Sequence, residues 1–287
     1  MVVRVLNSSL VAPEEETPRL SIWLSTLDLF QIRSHDPAVY FYRPPIQGDG
    51  SGFFSPEVLK AGLRKALVPF YLFAGRIGTD DTGRTEIECN GKGVPFVEAK
   101  AEELTIDKFG DFAPSPECRR MLIPTVDPGE GDDAIPLLLL QVLWHSNCCG
   151  RVCLGVGAHH LVSDGVASLL FINAWSDITR GIEPAVPPFL DQSLLLPRSP
   201  PSVRFPHVEF KRYAAGIHTY ADMPAISTLK RSCAATMPSP RRVTTYEAVA
   251  EHVWRQACMA RRLDAHSETR VYIKTDARRC QRATSVT

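Results

Sequence analysis

Strand and helix patterns meet in the stretch Gly155-Val-Gly-Ala-His-His-Leu-Val-Ser-Asp-Gly165. Residues 151–158 form a short apolar run, which is typical of a buried strand. Residues 164–180 repeat apolar side chains at helical spacing, and Gly181 stands where a helix commonly ends. The sequence therefore predicts a strand that ends at a histidine and a helix that begins at an aspartate.

His160 and Asp164 are the candidate functional residues of this joint. A neutral imidazole at a strand end can take a proton from a substrate hydroxyl and return it to a leaving group. Asp164 can cap the helix, orient the loop or pair with an arginine. A purely structural interpretation of both residues stays open. His159 and His160 could also suggest a metal, but no further carboxylate or cysteine lies at ligand spacing, so we expect none.

The surrounding segments mix strands and helices, which places the chain in the α/β class, with a mixed sheet and covering helices. Ser55-Pro56 is typical of a helix start, with serine as the cap and proline in the first turn. Turn residues at 90–93 separate residues 84–89 from 94–99 and predict a hairpin. The remaining expected strands are residues 38–43 and the pair 137–145 and 151–158.

The composition is that of a globular protein and shows no global charge. The 287 residues are 44% hydrophobic and 22% charged, with a formal net charge of +0, which disfavours a general nucleic-acid binder. From Lys230 onward, the chain contains twelve basic and five acidic residues. This surplus of basic residues could bind the phosphates of a nucleotide or coenzyme, or it could form a solvated basic surface.

No stretch approaches the roughly 20 apolar residues that a membrane span needs, and residues 1–13 lack the apolar core of a signal peptide. The eight cysteines show no CxxC pair and no zinc spacing, which favours reduced thiols in the cytosol. We therefore expect a cytoplasmic protein without membrane or nucleic-acid partners.

A proline-rich segment divides the chain. Six prolines fall within residues 186–206, which predicts an extended crossover rather than a helix or an inner strand. We expect an N-terminal domain over residues 1–185, a linker over 186–242 that continues irregularly, and a C-terminal segment over 243–287.

His160-Leu-Val-Ser-Asp164-Gly165 matches the HxxxDG motif of the plant BAHD acyltransferases. The chain resembles this family, and within it the hydroxycinnamoyl-CoA shikimate/quinate hydroxycinnamoyltransferase branch, nearly continuously from residue 1 to about 212. The resemblance returns at residues 245–254 and 272–276. Matching stretches include His35-Asp-Pro-Ala-Val-Tyr-Phe-Tyr-Arg-Pro44, Ala74-Gly-Arg76, Ile87-Glu-Cys-Asn-Gly91 and Phe171-Ile-Asn-Ala-Trp-Ser-Asp177. A condensation-type domain shares only the HxxxDG motif.

The resemblance implies a chloramphenicol-acetyltransferase-like fold of two similarly built domains, and transfer of a hydroxycinnamoyl group from coenzyme A to a hydroxyl or amine. His160 would be the general base, and the thioester would be a co-substrate, so no cofactor is expected. The other implied residues are Asp164 with its partner Arg278, the acyl and acceptor wall of His35, Ala38 and Tyr40, and the coenzyme A contacts Thr245 and Tyr246.

The chain also departs from the family pattern. The Asp-x-Arg-x-Arg-x-x-Pro stretch reads Asp276-Ala-Arg-Arg-Cys-Gln-Arg-Ala283, and the DFGWG motif is not present. We therefore expect a nearly complete first domain and an incomplete second one, with a strand over residues 271–275 short of sheet partners. The complete protein would be a monomer, whereas an uncovered interface could associate. We therefore expect this chain to turn over acyl-CoA poorly. The alternative is a non-catalytic binding or regulatory remnant of the family.

Overall fold

The computed structural model describes residues 3–44, 52–101, 115–126, 131, 134–145, 151–196, 200, 226–235, 242–264, 266–271 and 273. The chain divides into two units, Met1–Ser202 and Val203–Thr287. In the first unit the strands and helices, in chain order, are β1 (Val3–Val11), β2 (Ser21–Trp23), α1 (Thr26–Leu29), β3 (His35–Tyr42), α2 (Pro56–Ala66), β4 (Arg76–Thr79), β5 (Thr85–Glu88), β6 (Val94–Ala101), α3 (Pro116–Leu122), β7 (Leu138–His145), β8 (Val152–His159) and α4 (Gly165–Thr179).

A five-stranded sheet with the order β1-β6-β7-β8-β3 organises the first unit. The β6 and β7 strands are parallel, and the other neighbours are antiparallel. The predicted pairing of residues 137–145 with 151–158 is confirmed by β7 and β8. The mixed α/β class is likewise confirmed.

The helix predicted at Ser55-Pro56 is confirmed by α2. The Ser55 hydroxyl accepts a hydrogen bond from the Val58 N–H at 3.4 Å, and Pro56 occupies the first turn, where a missing N–H costs nothing. The sequence predicts this helix correctly because the cap, the proline and the apolar spacing all lie within one segment.

The hairpin predicted across residues 90–93 is wrong. The β5 strand pairs with β2 and β4 in a separate three-stranded sheet, whereas β6 belongs to the five-stranded sheet. The turn residues carry the chain from one sheet to the other, with Gly93 at φ +97°. A Cβ on Gly93 would lie 2.7 Å from the Val11 carbonyl oxygen, so this glycine allows β1 to pass close by.

The main core lies between the five-stranded sheet and the helices α2 and α4. Leu63 and Leu67 from the α2 region and Phe171 from α4 are buried against strand residues that include Phe96 and Leu140. The Trp175 indole N–H of α4 donates to the Leu59 carbonyl of α2 at 3.0 Å. This packing fixes the start of α4 relative to the end of β8.

The α3 helix covers the opposite face of the sheet. Leu122 and Ile123 pack with Leu143 and Cys153 in a separate buried cluster. A Cβ placed on Gly155 would lie 1.7 Å from the Leu122 carbonyl oxygen. The α3 backbone therefore rests directly on β8 at a position that only glycine allows.

The second unit contains α5 (Ile226–Ala235) and α6 (Thr245–Ala260) among its described residues. The α5 helix lies within the linker that we expected to be irregular, so that expectation is wrong for these residues. Leu229 of α5 is buried with Val243 and Ala248, and this apolar contact stabilises the helix. Val271 and Ile273 are exposed and outside any strand, whereas the rest of the strand predicted at 271–275 lies outside the described residues.

None of the helices described in either unit is both long enough and apolar enough to cross a membrane.

Candidate active site

His160 directly follows the last residue of β8. Its backbone N–H donates to the carbonyl of Ser34 at 3.0 Å, immediately before β3, and the Val162 N–H donates to the His159 carbonyl at 3.1 Å. These bonds turn the chain from the strand into α4. The His160 side chain is 15% exposed, so it is held by the protein and still open to solvent on one side.

The two ring nitrogens of His160 have different surroundings. Nδ1 is enclosed by protein and has no hydrogen-bond partner among the described residues. Nε2 lies 3.3 Å from Oδ2 of Asp36, whose side chain is 52% exposed. Nε2 is therefore the ring nitrogen with a polar partner, a half-exposed carboxylate. The sequence reasoning did not single out Asp36.

Asp164 caps α4. Its Oδ1 accepts a hydrogen bond from the Ala167 N–H at 2.9 Å, while its extended backbone conformation begins the helix. The Ser163 and Ser168 hydroxyls lie 2.7 Å apart and tie the same turn together. Of the three roles left open for Asp164, the structure supports capping. The implied partner Arg278 lies outside the described residues, so that pairing stays a prediction.

We expect Asp164→Ala to lower the free energy of unfolding by about 1 kcal/mol, because the Ala167 N–H loses its acceptor. Asp164→Asn keeps a cap of similar quality and should cost less than about 0.5 kcal/mol. Urea unfolding of both variants checks this. A loss near 3–5 kcal/mol in the asparagine variant would instead mean that a buried charge pair dominates.

His159 and His35 face the other side of the sheet from His160. The two rings meet edge to face with centroids 5.1 Å apart, at a paired position of β8 and β3. His35 Nε2 donates to the Pro136 carbonyl at 2.6 Å, and the Arg119 guanidinium donates to the His35 carbonyl at 2.7 Å. His35 is thus buried away from His160, and its ring is not brought together with it, because strand neighbours alternate between faces.

Burial lowers the pKa of His159 to about 4, and His35, Arg33 and His160 nearby act in the same direction. Its Nδ1 accepts the Leu161 N–H at 3.3 Å, which suits the neutral ring. The pKa of His35 is also lowered, mainly by burial. Both imidazoles are therefore neutral parts of the core near pH 7.

The free energy of unfolding should fall as the pH falls from about 6.5 towards 4. The unfolded chain binds a proton on His159 below its ordinary pKa of 6.5, whereas the folded chain binds one only near 4. The loss from this group is at most about 3 kcal/mol. His159→Gln keeps an acceptor for Leu161 and should flatten the dependence. The exposed His266→Gln is the control, and equal slopes in wild type and His159→Gln would contradict the prediction.

Ala38 and Tyr40 lie on the same face of β3 as Asp36. Both are partly buried and pack against the core beneath α2 and α4. Burial raises the pKa of the Tyr40 hydroxyl, so it is neutral at pH 7. The structure thus brings Ala38 and Tyr40 to the face of the sheet on which His160 meets Asp36.

Thr245 and Tyr246 begin α6 in the second unit. Thr244 caps this helix through the Glu247 N–H at 3.2 Å, and the Glu247 carboxylate accepts the Thr244 N–H at 2.9 Å. The Tyr246 side chain is exposed. Both residues therefore lie at a helix N-terminus, where backbone N–H groups favour anions.

Within the described part of the chain, no group of three or more His, Cys, Asp or Glu side chains is arranged to hold a metal ion.

This chain is similar to known transferases. The model of the Transferase family matches residues 1–282. A hydroxycinnamoyltransferase of Narcissus pseudonarcissus is 44% identical over 97% of this chain and 66% of its own length. Shikimate O-hydroxycinnamoyltransferase of Nicotiana tabacum is 43% identical over 97% and 66%. Putrescine hydroxycinnamoyltransferase 1 of Oryza sativa subsp. japonica is 44% identical over 97% and 65%.

Among solved structures, the crystal structure of vinorine synthase is similar in fold, with a TM-score of 0.62 and 23% identity. The similarity covers 93% of this chain and 63% of that one. The chain spans about two thirds of the length of the curated relatives that it matches.

Proposed function

Because the chain belongs to the Transferase family, whose plant members include the BAHD hydroxycinnamoyltransferases, we propose that it transfers a hydroxycinnamoyl group from coenzyme A to an acceptor hydroxyl or amine. The observation that carries the proposal is the placement of His160. A strand end, a bond to Ser34 and the capped helix after it hold the imidazole, whose side chain is 15% exposed and whose Nε2 lies beside Asp36.

His160 acts as the general base. Its Nε2 takes the proton of the acceptor, whose oxygen or nitrogen attacks the thioester carbonyl carbon. The tetrahedral intermediate then expels the sulfur, the C–S bond breaks, and the imidazolium protonates the thiolate. The acyl group passes directly to the acceptor without an acyl-enzyme. A positioned base of this kind contributes about 10²–10⁴-fold in rate.

The other site residues take supporting roles in the proposal. Ala38 and Tyr40 form the wall against which the acyl group and acceptor lie, since they share a strand face with Asp36. His35 fixes the start of β3 through Pro136. Thr245 and Tyr246 contact coenzyme A, whose phosphates suit the basic C-terminal region, and Arg278 pairs with Asp164.

The proposal also places the protein in the cytosol with small-molecule partners. Among the described cysteines, Cys89, Cys118, Cys153 and Cys258 are thiols outside any disulfide, which suits a reducing compartment.

The test is product formation from p-coumaroyl-CoA by the 287-residue chain. Shikimate, quinate and putrescine are supplied separately, and ester or amide is detected by chromatography, because free protein thiols would react with thiol reagents. A reaction without acceptor measures thioester hydrolysis. Acceptor-dependent product supports the proposal. Binding of p-coumaroyl-CoA without product would favour the alternative, a non-catalytic binding or regulatory protein.

A further inference from the structure

We propose that Asp36 selects the acceptor, and that it favours a primary ammonium group over a carboxylate-bearing alcohol. The inference rests on the proposed function, since it assigns the acceptor class for the same His160. Nothing in the HxxxDG stretch points to Asp36, which lies 124 residues before His160 in the chain.

The strand register places Asp36 at the site. Asp36 is the second residue of β3 and is paired with Ala158 of β8, two residues before His160. The backbone bond from His160 to Ser34 holds the two chain segments together at the same end. The 3.3 Å contact between Oδ2 and Nε2 is therefore supported on both sides by backbone pairing.

The surroundings of Asp36 suit a ligand-binding role better than a packing role. Its side chain is 52% exposed, so its carboxylate can be reached from solvent. Its Oδ2 lies 3.3 Å from Nε2 of His160, so a group bound to this carboxylate also lies beside that nitrogen. Two acceptor atoms 3.3 Å apart can both receive hydrogen bonds from one ammonium group, which carries three N–H donors.

The negative charge of Asp36 discriminates between cationic and anionic acceptors. A carboxylate forms its strongest hydrogen bonds with cationic donors, whereas a second carboxylate is repelled by it. An alkylammonium is therefore drawn to the position from which its nitrogen can reach the thioester. Shikimate or quinate, which carry a carboxylate, gain nothing from Asp36.

The reaction balances with the groups present. The ammonium bound to Asp36 gives one proton to Nε2 of His160, and the resulting amine nitrogen attacks the thioester carbonyl with its lone pair. The C–N bond forms, the C–S bond breaks, and the His160 imidazolium protonates the thiolate. The nitrogen of the intermediate releases its second proton to solvent, so the products are the amide and the thiol.

The experiment compares matched acceptors in matched variants near pH 7, where amines and carboxylates are ionised. Putrescine and 1,4-butanediol have the same carbon chain and differ in charge, and shikimate supplies a carboxylate. Each is tested with wild type, Asp36→Asn and Asp36→Glu. Asp81→Asn removes the same charge from an exposed turn and is the control variant.

The expected result is a fall of about tenfold or more in kcat/KM for putrescine in Asp36→Asn, as for a lost hydrogen bond to a charged group. The fall should lie mainly in KM, and it should exceed any change in kcat/KM for 1,4-butanediol or shikimate by about tenfold or more. Asp36→Glu should keep the preference, and Asp81→Asn should match wild type.

Three results would overturn the inference. An unchanged kcat/KM for putrescine would mean that Asp36 does not bind the acceptor. An equal fall in kcat for every acceptor would make it a positioning residue for His160. If no acceptor is acylated, the proposed function fails. Equilibrium binding of putrescine to wild type and to the two asparagine variants then tests the inference separately. Binding that weakens in Asp36→Asn but not in Asp81→Asn supports the inference, and binding independent of Asp36 contradicts it.

Discussion

Replacing His160 with alanine is expected to lower the rate of acyl transfer from p-coumaroyl-CoA by about 10²–10⁴-fold. The proposal assigns the acceptor's proton to this imidazole, whose side chain is 15% exposed and whose Nε2 lies 3.3 Å from Asp36. The measurement is the initial rate of ester or amide formation under saturating substrate. The circular dichroism spectrum should stay unchanged, since His160 is a loop residue and keeps its backbone bond to Ser34.

His266→Ala provides the control for the His160 variant. His266 is exposed, and the proposal gives it no role, so the variant removes an imidazole that is not assigned to the site. It should retain the wild-type rate. A His160→Ala protein that is folded and equally active would show that another group is the base.

Gly155→Ala is expected to lower the free energy of unfolding by more than about 3 kcal/mol, beyond the usual range for overpacking a core. The added methyl group would lie 1.7 Å from the Leu122 carbonyl oxygen. This obstacle is backbone rather than a flexible side chain, so α3 must move away from β8. The movement would also disturb the 2.7 Å hydrogen bond from the Gln141 amide to the Met121 carbonyl.

Gly165→Ala is the matched control for the Gly155 variant. A Cβ on Gly165 meets no atom within 4 Å, and the residue begins α4. The same substitution there should be neutral or should stabilise the protein by about 0.4–1 kcal/mol. Equal urea midpoints for the two variants would contradict the close approach of α3 to β8.

Features encoded within one segment were predicted well from the sequence. The Ser55 cap of α2 and the joint between β8 and α4 depend on residues a few positions apart. Neighbouring strands β7 and β8 were also found, because a short connection favours antiparallel pairing. The strand that ends before His160 and the helix that begins at Asp164 were predicted for the same reason.

Features that depend on distant pairing were not predicted. The turn residues 90–93 fit a hairpin, but they do not reveal that β5 pairs with β2 and β4. The contact of Asp36 with His160 requires the register of β3 on β8, which no local pattern encodes. The inward direction of the His35 ring follows from the same register and from the Pro136 carbonyl.

The pairing of β3 with β8 also has a consequence for the order of folding. Its paired residues are 110 to 124 positions apart, from Tyr42 with Val152 to His35 with His159. Long loops must close before such contacts contribute, so strand pairing of this kind forms slowly. In the five-stranded sheet β3 borders only β8, so during synthesis it emerges well before its partner. The contact between Asp36 and His160 therefore forms late in folding, and β3 is exposed to aggregation until its partner strand is available.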